Sequence, residues 1–273
     1  MSPTTDTPTT DAPVADVLLR IVERRRRRLA EASGPRPAIP ADAPDVLTAE
    51  SNPFLAALTA ARRGRAVIAE VKLGSPRLGS LAGRFDPAEL ARVYAGHGAA
   101  ALSVVVEPDF FHGSYEVLAA ARRSSGLPAI AKDFVVDERQ LVWARDAGAD
   151  AVLLIAALYT APELRAWARK ARALGLAPLV ETHDAADVDK LAGAPWELVG
   201  VNNRDLRTFA VDLQHSIELL PRLPPPAVKV AESGLRSAAE VERLRQAGFD
   251  AFLVGESLLT AADPAAKLRE LVG

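Results

Sequence analysis

The chain has 273 residues, of which 49% are hydrophobic and 25% charged; these are the proportions of a soluble globular protein and they exclude general disorder. Thirty-three basic and 35 acidic side chains leave a net charge of −2, which supplies no field for gripping a polyanion and argues against nucleic acid as a partner. There is no cysteine, and His97, His112, His183 and His215 never fall at ligand spacing on a helix, so disulfides and thiolate chemistry are excluded and no metal is expected.

Residues 1 to 13, rich in Thr, Pro and Asp, read as a disordered tail. They lack the apolar stretch of a secretory signal, and the longest unbroken apolar run, Ala151 to Tyr159, falls far short of the roughly 20 residues a bilayer demands. The expected location is the cytoplasm, with no membrane partner. Val14 to about Ala32 carries a helical stripe of Val14, Val17, Leu18, Ile21, Val22 and Leu29. Within it stand five successive arginines, Arg24 to Arg28. They read as a solvated helix face whose stems cover apolar surface; the other reading is a cationic patch that steers an anionic ligand toward a nearby mouth. A Pro-rich connector, Gly34 to Pro44, follows, and residues 14 to 60 together are expected to form a helical extension.

From Ala66 onward, apolar and β-branched runs alternate with amphipathic segments. The strand-like runs are Ala66–Val71, Ala101–Val106, Ala129–Ala131, Ala151–Ile155, Ala177–Val180, Leu198–Val201, Val228–Ala231 and Ala251–Val254. Asp86, Ser114, Asp137, Thr160, Asp184, Asp212, Ser237 and Asp263 are placed to cap the intervening helices. Alternation of this kind implies parallel strands joined by crossovers, and near-continuous apolar strands imply burial on both faces. Ala147-Gly-Ala-Asp150 and Ala247-Gly-Phe-Asp250 introduce strands in the same way in two halves of the chain. Eight units and this internal echo predict a single (β/α)8 TIM barrel domain over residues 14–273. An open doubly wound sheet is the alternative, but no G-x-G-x-x-G follows the first strand.

Barrel active sites gather at the C-terminal strand ends. There stand Glu70-Val-Lys72, Glu107, Lys132-Asp133, Glu181, Asn202-Asn203-Arg204, Glu232-Ser233-Gly234 and Gly255-Glu256-Ser257. Glu70 and Lys72, two apart, share one side of their strand. Lysines and glutamates converging on one mouth allow acid and base chemistry in a single cavity; ion pairs that merely close the barrel top are the bland alternative. Gly234 and Gly255 follow strands seven and eight, the usual phosphate position in such barrels.

Val-Ile-Ala-Glu70-Val-Lys72-x-x-Ser75-Pro76, Phe111-x-Gly-Ser114, Lys132-Asp-Phe134, Val180-Glu181-Thr-His183, Asn202-Asn-Arg204-Asp, Glu232-Ser-Gly234 and Gly255-Glu256-Ser257 together resemble the indole-3-glycerol phosphate synthases of tryptophan biosynthesis, in order and with compatible spacing from about residue 14 to the end. The resemblance implies closure of 1-(2-carboxyphenylamino)-1-deoxyribulose 5-phosphate to indole-3-glycerol phosphate, with loss of carbon dioxide and water and with no cofactor. It makes Lys132 the acid for the ketone oxygen. Lys72 becomes the partner of the substrate carboxylate and a candidate acid for dehydration. Glu181 and Glu70 become the stabilisers of an iminium-like intermediate and its proton exchangers. Asn202 and Arg204 would orient the substrate, Glu232 and Ser233 would support the ribulose hydroxyls, and Gly234, Gly255 and Glu256 would hold the phosphate. Ser75 is expected at the substrate, Phe111 and Leu153 in the aryl pocket, and the N-terminal helix over the mouth.

Leu73 and Arg77 depart from the basic residue and second serine usual around Ser75-Pro76, which raises the alternative of a paralogue acting on a substituted anthranilate in a specialised pathway. A phosphoribosyl isomerase and a non-catalytic sugar-phosphate binder are the competing readings. The expected assembly is a monomer, with other tryptophan-pathway enzymes as candidate partners.

Overall fold

The computed structural model describes residues 14–32, 37–61, 64–81, 83–205, 210–225 and 227–273; the predicted tail and residues 34–36 of the connector lie outside them. Eight strands close a parallel barrel in sequential order: β1 (Ala66–Val71), β2 (Ala101–Val105), β3 (Ala129–Lys132), β4 (Ala151–Ile155), β5 (Ala177–Thr182), β6 (Leu198–Asn202), β7 (Val228–Glu232) and β8 (Ala251–Val254). The expected strands are all present. Several run one or two residues further than their apolar runs, because the ladder continues through Lys132, Glu181, Asn202 and Glu232.

The two-residue period of a strand sorts these side chains. Val67, Ala69 and Val71 pack outward in the layer beneath the helices, whereas Ala66 and Ile68 join Leu179, Leu198, Val230 and Leu253 in the barrel interior. The inward file of β1 therefore runs Ala66, Ile68, Glu70. β3 repeats the change with Ile130 then Lys132, β5 with Leu179 then Glu181, and β7 with Val230 then Glu232. The barrel is oily at its N-terminal end and charged at its C-terminal end.

All eight expected caps open helices, and seven of them accept a backbone N–H two or three residues on. Thr160 instead gives its hydroxyl and its N–H to Glu163. The sequence echo is also structural. Asp150 accepts the N–H of Ala129 and Asp250 that of Lys229, each at 2.9 Å, so each aspartate stitches the start of one strand to its neighbour.

Two helices precede β1. α1 (Val14–Glu31) lies across the charged end, and α2 (Pro53–Ala61) closes the oily end with Phe54, Leu55 and Leu58. Burying each of these three side chains contributes about 1.5–3 kcal/mol. Asn52 caps α2 with its carbonyl and donates its amide to the carbonyls of Asp150 (2.8 Å) and Gly175 (3.0 Å), fixing the plug to the barrel.

The arginine run departs from expectation. Arg24, Arg27 and Arg28 are half or more exposed, but Arg25 is 3% exposed and grips Asp133 through two bonds of 3.1 and 2.6 Å. Position 25 falls between Ile21 and Leu29 at helical spacing, so it faces inward with them. A buried guanidinium is tolerable there because a carboxylate meets its fork. Tyr115 and Gln140 also donate to Asp133, at 2.9 and 2.8 Å. Arg139 takes the last carbonyls of α1, Leu29 at 2.7 Å and Ala32 at 3.0 Å, where a cation also suits the helix dipole.

Candidate active site

The charged ends of β1, β3, β5 and β7 meet at the floor of a cavity of about 520 Å³. Lys132 Nζ donates to Glu232 Oε2 at 3.0 Å and lies 3.8 Å from Glu181 and 3.9 Å from Glu70. Lys72 Nζ donates to Glu70 Oε1 at 2.6 Å. The glutamates are nearly buried, but the lysine side chains keep 14% (Lys72) and 20% (Lys132) of their surface exposed toward the cavity. A substrate can thus reach both ammonium groups.

Proton affinities follow from this packing. Burial lowers the proton affinity of Lys132, but Glu232, Glu181 and Glu70 outweigh it and hold the group firmly charged. Burial works against an ionised Glu70 as well, and Lys72 and Lys132 reverse it, leaving the carboxyl below its ordinary range. Glu232 goes the other way. Burial, with Glu181 beside it, pushes it up to about 7 despite Lys132. Its Oε1 is buried and meets no hydrogen-bond partner among the described residues, which adds to the cost of ionising it. Neighbouring acidic groups driven apart in this way provide an acid and a base in one site.

Two glycines make room for the carboxylates. A Cβ on Gly200 would stand 2.1 Å from Glu232 Oε1, and one on Gly255 would stand 2.3 Å from Glu70 Oε1. Neither is at positive φ, so the requirement is space and not backbone conformation. Gly200 escapes sequence reading because it sits inside the apolar run of β6.

One wall of the cavity is apolar. Val17, Leu18 and Ile21 of α1 face Phe111, Phe134 and Leu153, with the two phenyl rings 6.0 Å apart. Glu107 does not reach the cavity. It is fully buried and accepts the N–H groups of Asp109, Phe110 and Phe111 at 2.7–3.0 Å, shaping the loop that carries Phe111.

The opposite wall is polar. Asn202 accepts the N–H of Arg204 at 3.0 Å, and both line the cavity with Ser75, Ser233, Gly234, Gly255 and Glu256. Ser233 and Gly234 adopt successive left-handed conformations, φ 67° and 80°, a strained turn for a serine. Asn203 holds it by donating to the carbonyls of Glu232 (2.9 Å) and Ser233 (3.0 Å). Glu256 opens a short helix after β8, and its carboxylate pairs with Arg204 at 3.3 Å and with Arg77 from the β1 loop. Arg77 thus links the first and last loops across the mouth, while Ser75 Oγ accepts the Leu78 N–H at 3.0 Å inside that loop.

Thirteen of the fourteen candidate residues line this one cavity; the exception is Glu232, which is fully buried beneath it and reaches the site only through Lys132, because the inward file of β7 places it one layer below the mouth. The structure adds Gly200, Asn203 and the Arg25–Asp133 pair, which steer those groups from behind. It also adds His183, which stands beside Glu181 at 3.2 Å.

Comparison with known proteins gives a consistent picture. The model of the indole-3-glycerol phosphate synthase family matches residues 18–271. An indole-3-glycerol phosphate synthase of Acidithiobacillus ferrooxidans is 42% identical over 258 residues, 94% of this chain and 98% of that protein. One from Koribacter versatilis is 45% identical over 78% of this chain and 82% of its own length, and one from Burkholderia ambifaria is 41% identical over 94% and 99%. Among solved structures, 3-hexulose-6-phosphate synthase of Salmonella typhimurium superposes with a TM-score of 0.59 at 17% identity, covering 76% of this chain and 96% of that one. Thiamine phosphate pyrophosphorylase of Pyrococcus furiosus gives 0.55 at 16% identity, with 78% and 95% covered; these two share the fold. A barrel whose charged floor, apolar wall and polar wall are assembled from the matching motifs, and whose sequence aligns nearly end to end with these relatives, belongs to the indole-3-glycerol phosphate synthase family.

Proposed function

We propose that the protein converts 1-(2-carboxyphenylamino)-1-deoxyribulose 5-phosphate to indole-3-glycerol phosphate, the ring-closing step of tryptophan biosynthesis. The observation that carries this reading is Lys132, an ammonium group exposed to the cavity and held within 4 Å of three glutamates. The substrate's aryl group fits the wall of Phe111, Leu153 and α1. Its phosphate fits the backbone N–H groups of Gly234, Gly255 and Glu256 beside Arg204, since donors fixed by the fold lose little freedom on binding.

With the ends so placed, the ketone lies over Lys132. The ring carbon bearing the carboxylate attacks the ketone carbon while Lys132 gives a proton to its oxygen, and a positive charge develops on the ring and its nitrogen. Glu181 and Glu70 stabilise that charge as fixed anions. Carbon dioxide then departs, leaving its bonding pair on the ring. Loss of the new hydroxyl as water needs another proton, for which Lys72 is placed, and a carboxylate takes the proton whose departure restores aromaticity. Ser233 supports the ribulose hydroxyls, Glu232 acts from beneath by holding Lys132, and Asn202 and Arg204 align the chain.

Lys132→Ala tests the assignment, with indoleglycerol phosphate formation followed by fluorescence. Loss of a positioned acid lowers turnover by about 10²–10⁴-fold; a folded variant with the parent's rate overturns the role of Lys132. The reading also carries a cytoplasmic monomer, and a dimer in sedimentation velocity would contradict that part alone. Arg77 pairing with Glu256 favours one refinement, a β1 loop adapted to a different aryl substituent. Leu73→Arg with Arg77→Ser should then shift the preference between plain and substituted substrates, and an unchanged ratio removes it.

A further inference from the structure

We propose that His183 is a positioning residue, whose imidazole, braced from behind by Asp187, fixes the Glu181 carboxylate in the orientation that meets the cationic intermediate. The proposal rests on the role given to Glu181 above. His183 follows β5 two residues after Glu181, so both lie on the inward side of the strand line. Its Nε2 is 3.2 Å from Glu181 Oε1 and its Nδ1 is 3.7 Å from Asp187 Oδ2. Both ring nitrogens are buried and neither closes a hydrogen bond among the described residues, so the ring sits between the two carboxylates at ion-pair distance.

The brace is itself tied down. Asp187 is buried in the short helix Ala185–Asp189. It accepts the backbone N–H of His183 at 3.1 Å and the Lys190 ammonium at 2.9 Å, and Lys190 is anchored in turn on the Ala156 carbonyl at 2.8 Å. From the helix Leu213–Leu219, His215 Nε2 meets the His183 carbonyl at 2.6 Å. The charged groups around the imidazole are thus Glu181 and Asp187 at ion-pair distance, Lys190 paired with Asp187, and Lys132, with its partner Glu232, beyond Glu181's other oxygen.

A cation at this point has a second consequence. Burial alone would discharge His183, but Asp187 and Glu181 outweigh it and raise its proton affinity to about 10. Glu181, opposed by burial, is lowered to about 2 chiefly through His183, with help from Lys132. Lys132 is shared among three glutamates, whereas Glu181 is the one of the three that His183 meets. His183 thereby favours the anionic form of Glu181, while burial favours the neutral form of Glu232 nearby.

The test is the pH profile of kcat for His183→Ala, His183→Gln and Asp187→Asn, alongside Glu181→Gln and with thermal melts to establish folding. Losing the cationic partner of a buried carboxylate lowers kcat about ten- to hundredfold. KM should move less than about threefold, because the substrate is not touched. In His183→Ala the low-pH limb of kcat should rise by about one pH unit or more, since Glu181 then protonates more readily. His183→Gln, a donor without charge, should recover part of kcat and keep the shifted limb. Asp187→Asn should shift it in the same direction but less. Should His183→Ala fail to fold, the Gln and Asn variants carry the test. A limb that stays in place in every folded variant overturns the proposal. If Glu181→Gln retains full kcat, the role of Glu181 has failed instead.

Discussion

Gly255→Ala makes the sharpest demand on the architecture. The added methyl would lie 2.3 Å from Glu70 Oε1, 2.8 Å from its Cδ and 3.1 Å from its Cβ, so the carboxylate must retreat by about 1 Å to reach ordinary contact. It cannot do so by swinging its tip alone, because Cβ is crowded as well. The 2.6 Å contact with Lys72 must therefore open. A displacement of this size at a reacting group costs about 10²-fold in rate, and overpacking costs about 1–3 kcal/mol of stability. Fluorescence turnover reads the first and urea denaturation the second. The decisive comparison is the double-mutant cycle with Glu70→Ala, which removes the clashing oxygen. In that background Gly255→Ala should lose most of its stability cost, giving a coupling of about 1 kcal/mol or more. A cost that stays the same whether or not the Glu70 carboxylate is present would refute the steric reasoning.

Arg25→Met should destabilise the protein by about 3–5 kcal/mol by stranding Asp133 without its ion-pair partner, and thermal or urea unfolding should show it; a change under about 1 kcal/mol would mean that Asp133 finds another cation. The stability of the parent relative to Glu232→Gln should fall as pH rises from about 5 to 8. Glu232 is pushed up to about 7 in the fold, so its favourable neutral form is complete below the unfolded value and is lost on passing through the folded one. A flat difference over that window would show that the fold does not raise Glu232. Asn203→Ala should release the Ser233–Gly234 turn and raise KM more than it lowers kcat, because the nearby donors serve the phosphate; an effect confined to kcat would put Asn203 in the chemistry instead.

Much of this arrangement is legible in the sequence because a parallel barrel imposes two simple rules. Strands buried on both faces show up as apolar runs, and a two-residue period carries Glu70, Lys132, Glu181 and Glu232 to the same side as the apolar residues before them. The strand ends were less legible, since backbone ladders continue into charged residues that composition assigns to loops. Arg25 hides in a run of identical residues; only its four-residue spacing from Ile21 and Leu29 marks it as inward. Gly200 resembles any small strand residue until the Glu232 carboxylate is seen against it. α2 is short and nearly all apolar, so it carries no polar face from which its plugging role could be read. The Ser233 turn depends on Asn203 reaching across from the neighbouring strand end, a contact that only the closed barrel creates.

The most direct test of the central claim is turnover of 1-(2-carboxyphenylamino)-1-deoxyribulose 5-phosphate by the purified protein beside Lys132→Ala, with substrate binding measured for both. The account predicts indole-3-glycerol phosphate from the parent, and a variant that folds and binds yet has lost turnover by about 10²-fold or more. A folded parent that binds this substrate without closing the ring, or a variant that closes it equally fast, would contradict the account.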